Sequence, residues 1–409
     1  MKTVRSCCAL LALALPAAAQ DVHKVPSEHP TIQEAVDVAA DGDIIEISGG
    51  NYFEAVVVAG KTGLVIRAKG KVVIDPPGGT GLTLDGCTDC VVEKVRVAGG
   101  DPHGILLVDS TGCALVKCRV EQSAMDGLRA EGGGGHAFEE CTVKDVGRDA
   151  IAMGTSSTAV DGCTVTKCKL IRPEDDGTDI NGSDNTFDKC LALKPQEDGF
   201  EVDDTGAASG NVFTACTAVK PAQHGLFVRG TGSANRFTGC KVIQAGDDGV
   251  NVESGSGQRI EGCKLVKAGS NGIFVDAAAD AVELVGNKVT KAGDDGLDVD
   301  GGASVVTGNT ITGCKDDGAR LDGADANWSG NKVLGCKDDG IQLDAATGAT
   351  LDGNSAKGNK GDGFRLTDLS SGNTLTSNVG KGNKGFDLND ESGGANIIGA
   401  GNDFGTTSP

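Results

Sequence analysis

Aromatic side chains are nearly missing: 409 residues hold one Trp, one Tyr and eleven Phe. That scarcity weakens any reading in which rings stack on sugar, and ordinary lectin architectures with it. Three Met and five His are too few for the copper handling that draws on those ligands. Basic residues are outnumbered, 37 against 58 acidic, for a formal net charge of −21. Such a surface disfavours nucleic acid and anionic membranes as partners. It would also repel an acidic polysaccharide unless a local basic patch or bound cations bridge the two. Sustained helical periodicity is lacking from residue 81 to 390.

The chain begins with Lys2 and Arg5, an apolar run from Cys7 to Leu15, Pro16, and then Ala17, Ala18 and Ala19. This pattern predicts a secretory signal peptide over residues 1–19, cleaved after Ala19, and a secreted or periplasmic mature protein. The apolar run is roughly nine residues, short of the ~20 a membrane span needs, and nothing later is apolar enough to span. Of fifteen cysteines two lie in the leader, leaving an odd thirteen in a compartment that permits disulfides.

What the chain has in abundance is glycine, 64 residues of it, in register. One ladder reads Gly81, Gly104, Gly127, Ala150, Gly177, Gly199, Gly225, Gly249, Gly272, Gly296, Gly318, Gly340, Gly363 and Gly385, with a mean step of about 23 residues. Nine residues earlier runs a second ladder, Cys118, Cys141, Cys168, Cys190, Cys216, Cys240 and Cys263, then Asn287, Asn309, Asn331 and Asn354. After each glycine the first and third residues are apolar, as in Phe200/Glu201/Val202 and Ile341/Gln342/Leu343, the period of a short strand with one buried face. A second strand surrounds the Cys/Asn position. Short strands joined by Gly, Asp, Asn and Ser turns cannot bury a face alone, so about fourteen coils must stack. The fold class predicted is all-β: a single-stranded, right-handed parallel β-helix, since right-handed crossovers dominate parallel strands.

The same ladders assign several residues to the interior. Trp328 shares its coil position with Phe138, Phe187, Phe213 and Phe237 and reads as core. The ladder cysteines read as small buried hydrophobes. Cys90 with Cys113, and Cys314 with Cys336, come near one another on adjacent coils, and a disulfide there needs closer Cβ atoms than parallel stacking offers. Before the coils, Thr31 and Glu34 form a capping box and Ile32, Ala35, Val36 and Ala39 an apolar stripe, predicting a short helix that plugs the N-terminal end. The expected organisation is therefore a leader (1–19), a cap with the first strands (20–60), a solenoid (61–395) and a C-terminal tail (396–409).

Residues 31–37 (TIQEAVD), 41–47 (DGDIIEI) and 50–54 (GNYFE) resemble the N-terminal region of the pectin-lyase-like superfamily, as pectin methylesterases and the copper-accessory β-helix proteins of nitrous-oxide reductase maturation open. The resemblance covers the opening fifty residues by motif and the rest by coil pattern. It implies the fold and leaves the reaction open, because the catalytic signatures of the subfamilies are incomplete. The only Trp is a core residue; Gln223-His224-Gly225 is an imperfect version of a polygalacturonase motif. Asp101-Pro102-His103 resembles a mannuronan-epimerase motif but lacks its acidic follower.

The leg from glycine to the next Cys/Asn varies from 13 to 18 residues, and its two longest examples, Ala150 to Cys168 and Gly199 to Cys216, flank the coils that start at Gly177 and Gly199. Loops there would wall a groove. Outward on that strand, Asp179 and Glu201 occupy the same position on adjacent coils, preceded by Asp176 and Asp198, with His224 and Arg229 on the next coil. Carboxylates about 5 Å apart repel by roughly 1 to 3 kcal/mol, so one titrates high or shares a cation. The predicted catalytic set is Asp179, Glu201, His224 and Arg229. Arg129 and Asp176 would bind substrate, the arginines facing a uronate carboxylate, and Asp176 with Asp198 would hold Ca²⁺ if a metal is used. The competing reading is that Asp-Asp-Gly, recurring at Asp247, Asp294, Asp316 and Asp338, is turn chemistry, with Asp bonding its own backbone and Gly supplying positive φ. In that reading Lys315 and Lys337 offset some of the repulsion, and His103, five coils from His224, is a turn residue.

Two functions follow. One is an enzyme, a lyase, hydrolase or epimerase acting on a uronate-type polysaccharide along the strand groove. The other is a non-catalytic, monomeric, stiff surface rod.

Overall fold

The computed structural model describes residues 20–202 and 208–409; the leader predicted for 1–19 lies outside the described residues. Strands account for nearly all the regular structure, and they pair in parallel between successive windings throughout. The glycine-led strands form one fifteen-stranded sheet from Val56–Ala59 to Leu388–Asp390. The remaining strands form the rest of the wall. In the first windings these are long, Ile44–Tyr52, Val65–Ile74 and Val91–Ala98; later each is split at the Cys/Asn position into two short strands, such as Thr164–Thr166 and Lys169–Ile171.

Among the described residues one helix, Ile32–Val38, lies at the N-terminal end, with Thr31 Oγ1 accepting the Glu34 N–H as its cap. Burial of Ile32, Ala35 and Val36 is the predicted stripe. The helix also closes the sheet edge. The Gln33 side-chain amide donates to Val57 O (3.0 Å) and its Oε1 accepts the Val57 N–H (2.7 Å), taking the place of a neighbouring strand. Glu54 accepts the Ile32 and Gln33 N–H groups, so the opening motif residues fasten the plug to the first winding.

Stacking is visible in the ring spacings. Phe187 and Phe213 lie 4.5 Å apart and Phe213 and Phe237 4.8 Å, the strand-to-strand distance of a parallel sheet. Trp328 is fully buried in the same column. The thirteen cysteines among the described residues are buried free thiols, the pairs at Cys90/Cys113 and Cys314/Cys336 included. They do more than fill space: Cys141 Sγ donates to Leu115 O (3.2 Å) of the preceding winding, and its ladder neighbours repeat the contact. Asparagine takes over this column because it does the same job with stronger groups. Asn309 Nδ2 donates to Leu284 O (2.8 Å) while its Oδ1 accepts the Asn287 N–H (2.8 Å). This ladder continues through Asn378 and Asn402, past the expected end of the solenoid. Residues 396–409 likewise contribute paired strands, Ile397–Ile398 and Asp403–Phe404.

Two details of the glycine ladder differ from expectation. Its last member is Asp387, not Gly385, because Leu388 is the partner of Phe364. The ladder glycines are also not selected for positive φ, which occurs elsewhere in the coil. They are selected for space: a Cβ on Gly318 would lie 2.0 Å from Val333 Cγ1 and 2.6 Å from Gly340 O. Gly318→Ala should therefore cost about 1–3 kcal/mol of stability by overpacking, read as a lower urea midpoint. A midpoint at or above the parent's would show that the winding can open to admit a methyl group.

Candidate functional site

The residue just before each ladder glycine builds a third column. Asp149 Oδ1 accepts the Asp176 N–H (3.1 Å), Asp176 Oδ1 that of Asp198 (2.6 Å), and Asp198 Oδ1 that of His224 (2.6 Å). His224 Nδ1 then accepts from Asp248 N (3.3 Å), and Asp248 Oδ1 from Asn271 N (2.8 Å). The relay runs on through Asp295, Asp317, Asp339 and Asp362 to Phe386. The aspartates of the Asp-Asp-Gly turns thus bond the next winding's backbone rather than their own, and the turn reading is corrected accordingly. Asp176, Asp198 and His224 are members of this column, a structural role that accounts for their presence. His103 occupies the same column five windings before His224, with Nδ1 3.4 Å from Asp126 Oδ2.

A column of buried acids raises its own proton affinity. Burial, then neighbouring carboxylates, push Asp149 up to about 9 and Asp198 to about 8. Asp176 rises to about 10 through burial and then its hydrogen bond with Glu201. Glu201 rises to about 7, because burial outweighs the Asp176 bond and the Arg229 guanidinium, whose Nε lies 3.0 Å from Glu201 Oε1. The two acids share a proton that resides on Asp176, since Glu201 alone of the pair faces a cation. Burial lowers His224; with Nδ1 accepting from the backbone, the neutral ring carries its proton on Nε2.

In front of this column runs the outward row of the glycine-led sheet. Arg129, Ala152, Asp179, Glu201, Phe227, Asn251 and Phe274 follow one another Cα to Cα. Asp179 and Glu201 are therefore neighbours, as the spacing predicts, and among the described residues no other winding pair places two acids side by side on this row. Asn181 Nδ2 donates to Asp179 Oδ1 (2.9 Å). Asn181 also lines a cleft of about 340 Å³ whose other wall is the Thr155–Thr158 turn of the long Ala150–Cys168 leg, so that insertion does border the site. Of the second long leg, Gly199 to Cys216, residues 203–207 lie outside the described residues.

Arg129 stands two windings from Asp179 and is committed to Asp126 Oδ2 (3.2 Å) and Glu131 Oε1 (3.0 Å). Arg229 is engaged by Glu201 and lies over the Phe227 ring, 5.7 Å from its centroid. Phe227 and Arg148 are absent from the sequence-derived set. Phe227 follows from the same outward-row rule that found Glu201, and its ring lies 5.0 Å from that of His224. Arg148, near Asp149 and Asp175, had no ladder position to mark it. Asp176, Asp198 and Glu201 each present an oxygen within 4.8 Å of the others, hard donors of the kind Ca²⁺ takes. One oxygen of each is already engaged, by Asp198 N–H, His224 N–H and Arg229, leaving three for an ion that prefers six to eight.

Residues 80–242 and 248–404 match the family described as the right handed beta helix region, and the protein belongs to that family. No curated protein matches the sequence. Among solved structures it is similar to the receptor binding domain of the siphovirus 9NA tailspike, with 11% identity, TM-score 0.56, and coverage of 95% of this chain and 75% of that one. It is also similar to the catalytic domain of a GH87 α-1,3-glucanase in complex with tetrasaccharides, with 12% identity, TM-score 0.51, and coverage of 69% and 67%. At these identities the likeness is one of fold, consistent with the pectin-lyase-like resemblance of the opening motif.

The acid column makes stability depend on pH in a stated direction. Asp149, Asp176, Asp198, Asp248, Asp295, Asp317 and Asp339 hold protons in the fold at values where the unfolded chain, near 4, has released them, so their contribution is complete below about pH 4 and is lost as pH rises through the folded values. Those values run from about 6 at Asp339 and about 7 at Asp317 to about 10 at Asp176. Acids held low by partners, such as Glu121 between Arg96 and Arg119, act only on the acid side of this window. The melting temperature should fall from pH 5 to pH 9, and Asp317→Asn, which retains an acceptor for the Asp339 N–H, should reduce the fall. A melting temperature that rises over that interval would refute the protonated column.

Proposed function

We propose that the protein is a secreted or periplasmic polysaccharide-binding enzyme that hydrolyses a glycosidic bond over the windings of Asp179, Glu201 and Phe227. The single observation that carries this reading is the outward Asp179–Glu201 pair, backed by a protonated Asp176 and bordered by the Asn181 cleft. Glycoside hydrolysis needs two carboxyl groups of unlike protonation beside the scissile bond. Glu201, poised near neutrality, relays the proton held on Asp176 to the leaving oxygen as the Asp179 carboxylate bonds the sugar carbon, and water then displaces Asp179, returning a proton to Glu201. Phe227, buried beside Glu201, holds Arg229 in place.

The sign of the site bears on the substrate. A uronate chain would need Arg129 and Arg229 for its carboxylates, and both are engaged by acids. A neutral glycan meets no such repulsion, and it is in a glucanase that this fold has been seen with a bound tetrasaccharide. We therefore favour a neutral glycan at this face over the uronate chain. The experiment is incubation with α- and β-glucans, polygalacturonate and alginate, reading new reducing ends. Glu201→Gln should lower turnover at least ~100-fold, and Asp176→Asn should shift the alkaline limb of the pH profile while leaving some activity. No turnover on any glycan would favour the second reading, a non-catalytic monomeric rod, which the acid column's run along most of the solenoid supports.

Calcium bound by Asp176, Asp198 and Glu201 is the alternative to a shared proton. It predicts a melting temperature raised by millimolar Ca²⁺ at pH 8 and restored by chelator. An unchanged midpoint would leave the proton as the group that relieves the repulsion.

A further inference from the structure

A run of positive charge without acidic partners lies on the other sheet. Lys241, Lys264 and Lys288 stand Cα to Cα on three successive windings, about 4.8 Å apart. Lys267 and Lys291 follow at the adjoining turns. Lys241 is half-buried and the other four are exposed. The acids on the neighbouring strands, Glu261 and Glu283, are both taken by Arg259. Among the described residues, none of the five lysines has an acidic partner.

Like charges stacked directly across a sheet oppose folding, and here nothing within the chain relieves them. An external anion would. We propose that this lysine seam binds an extended anionic polysaccharide, one whose carboxylates or sulfates recur once per sugar along the direction of the stacked windings. The outward residues between the lysines are Ile243, Val266 and Thr290. A face with no ring to stack on suits a sugar acid and not the bases of a single-stranded nucleic acid. Because the exposed Asp294, Asp316 and Asp338 flank the glycine-led sheet, an anionic polymer is turned away from that face and toward the seam. The surface would thus anchor the protein on one polymer while the opposite sheet works on another. The assignment does not rest on catalysis at Glu201.

The test is binding of polygalacturonate, with dextran as the neutral control and oligothymidylate as the nucleic-acid control, at low and at physiological salt. Polygalacturonate should bind, weaken with salt and exceed both controls. The triple variant Lys241→Gln, Lys264→Gln, Lys288→Gln should bind about tenfold more weakly, the sum of three exposed charge contacts, with a melting temperature no lower than the parent's. Should that variant fail to fold, Lys264→Glu alone, at an exposed position, should still weaken binding. Absence of binding at low salt, equal binding by the variants, or oligothymidylate binding as tightly as polygalacturonate would each overturn the assignment.

Discussion

Every winding of this protein is held by the winding beneath it. The sheet hydrogen bonds run between windings, and so do the Asn, Cys and Asp side-chain contacts that tie one turn's backbone to the next. No winding can bury its own apolar face, so stacking is the condition for having a core at all. It also means that each position in the coil meets its own kind above and below. A favourable neighbour is repeated down the rod, and so is an unfavourable one.

The three side-chain columns show both outcomes. Asparagine is self-complementary, donating to a carbonyl on one side and accepting an N–H on the other, so its column needs nothing more. Aspartate accepts the same N–H but brings a charge, and a buried file of charges is relieved by protons. The fold thus carries a strip of carboxylic acids along the glycine-led sheet, independent of any reaction. Lysine on the opposite wall is exposed, so water moderates the same repulsion there without removing it.

Chemistry on such a scaffold is expected where the columns are broken. At Asp179 and Glu201 the outward row carries two acids in succession, the next winding places Phe227 and Arg229 against them, and the preceding insertion supplies a wall. The acid column behind them supplies protonated neighbours. A structural device repeated along the rod thereby tunes the pair that departs from the repeat.

The period, the inward rows, the burial of Trp328 and the capping helix could all be read along the chain, because a repeat turns sequence distance into spatial position. So could the adjacency of Asp179 and Glu201. The partner of each side chain could not. That Asp176 and His224 accept backbone N–H groups, that Arg129 turns to Asp126, and that the ladder glycines are chosen for room and not for φ depend on rotamers and on gaps of a few tenths of an ångström between windings. Spacing along the chain determines which residues share a column; only packing in three dimensions decides which atom of each is still free to act.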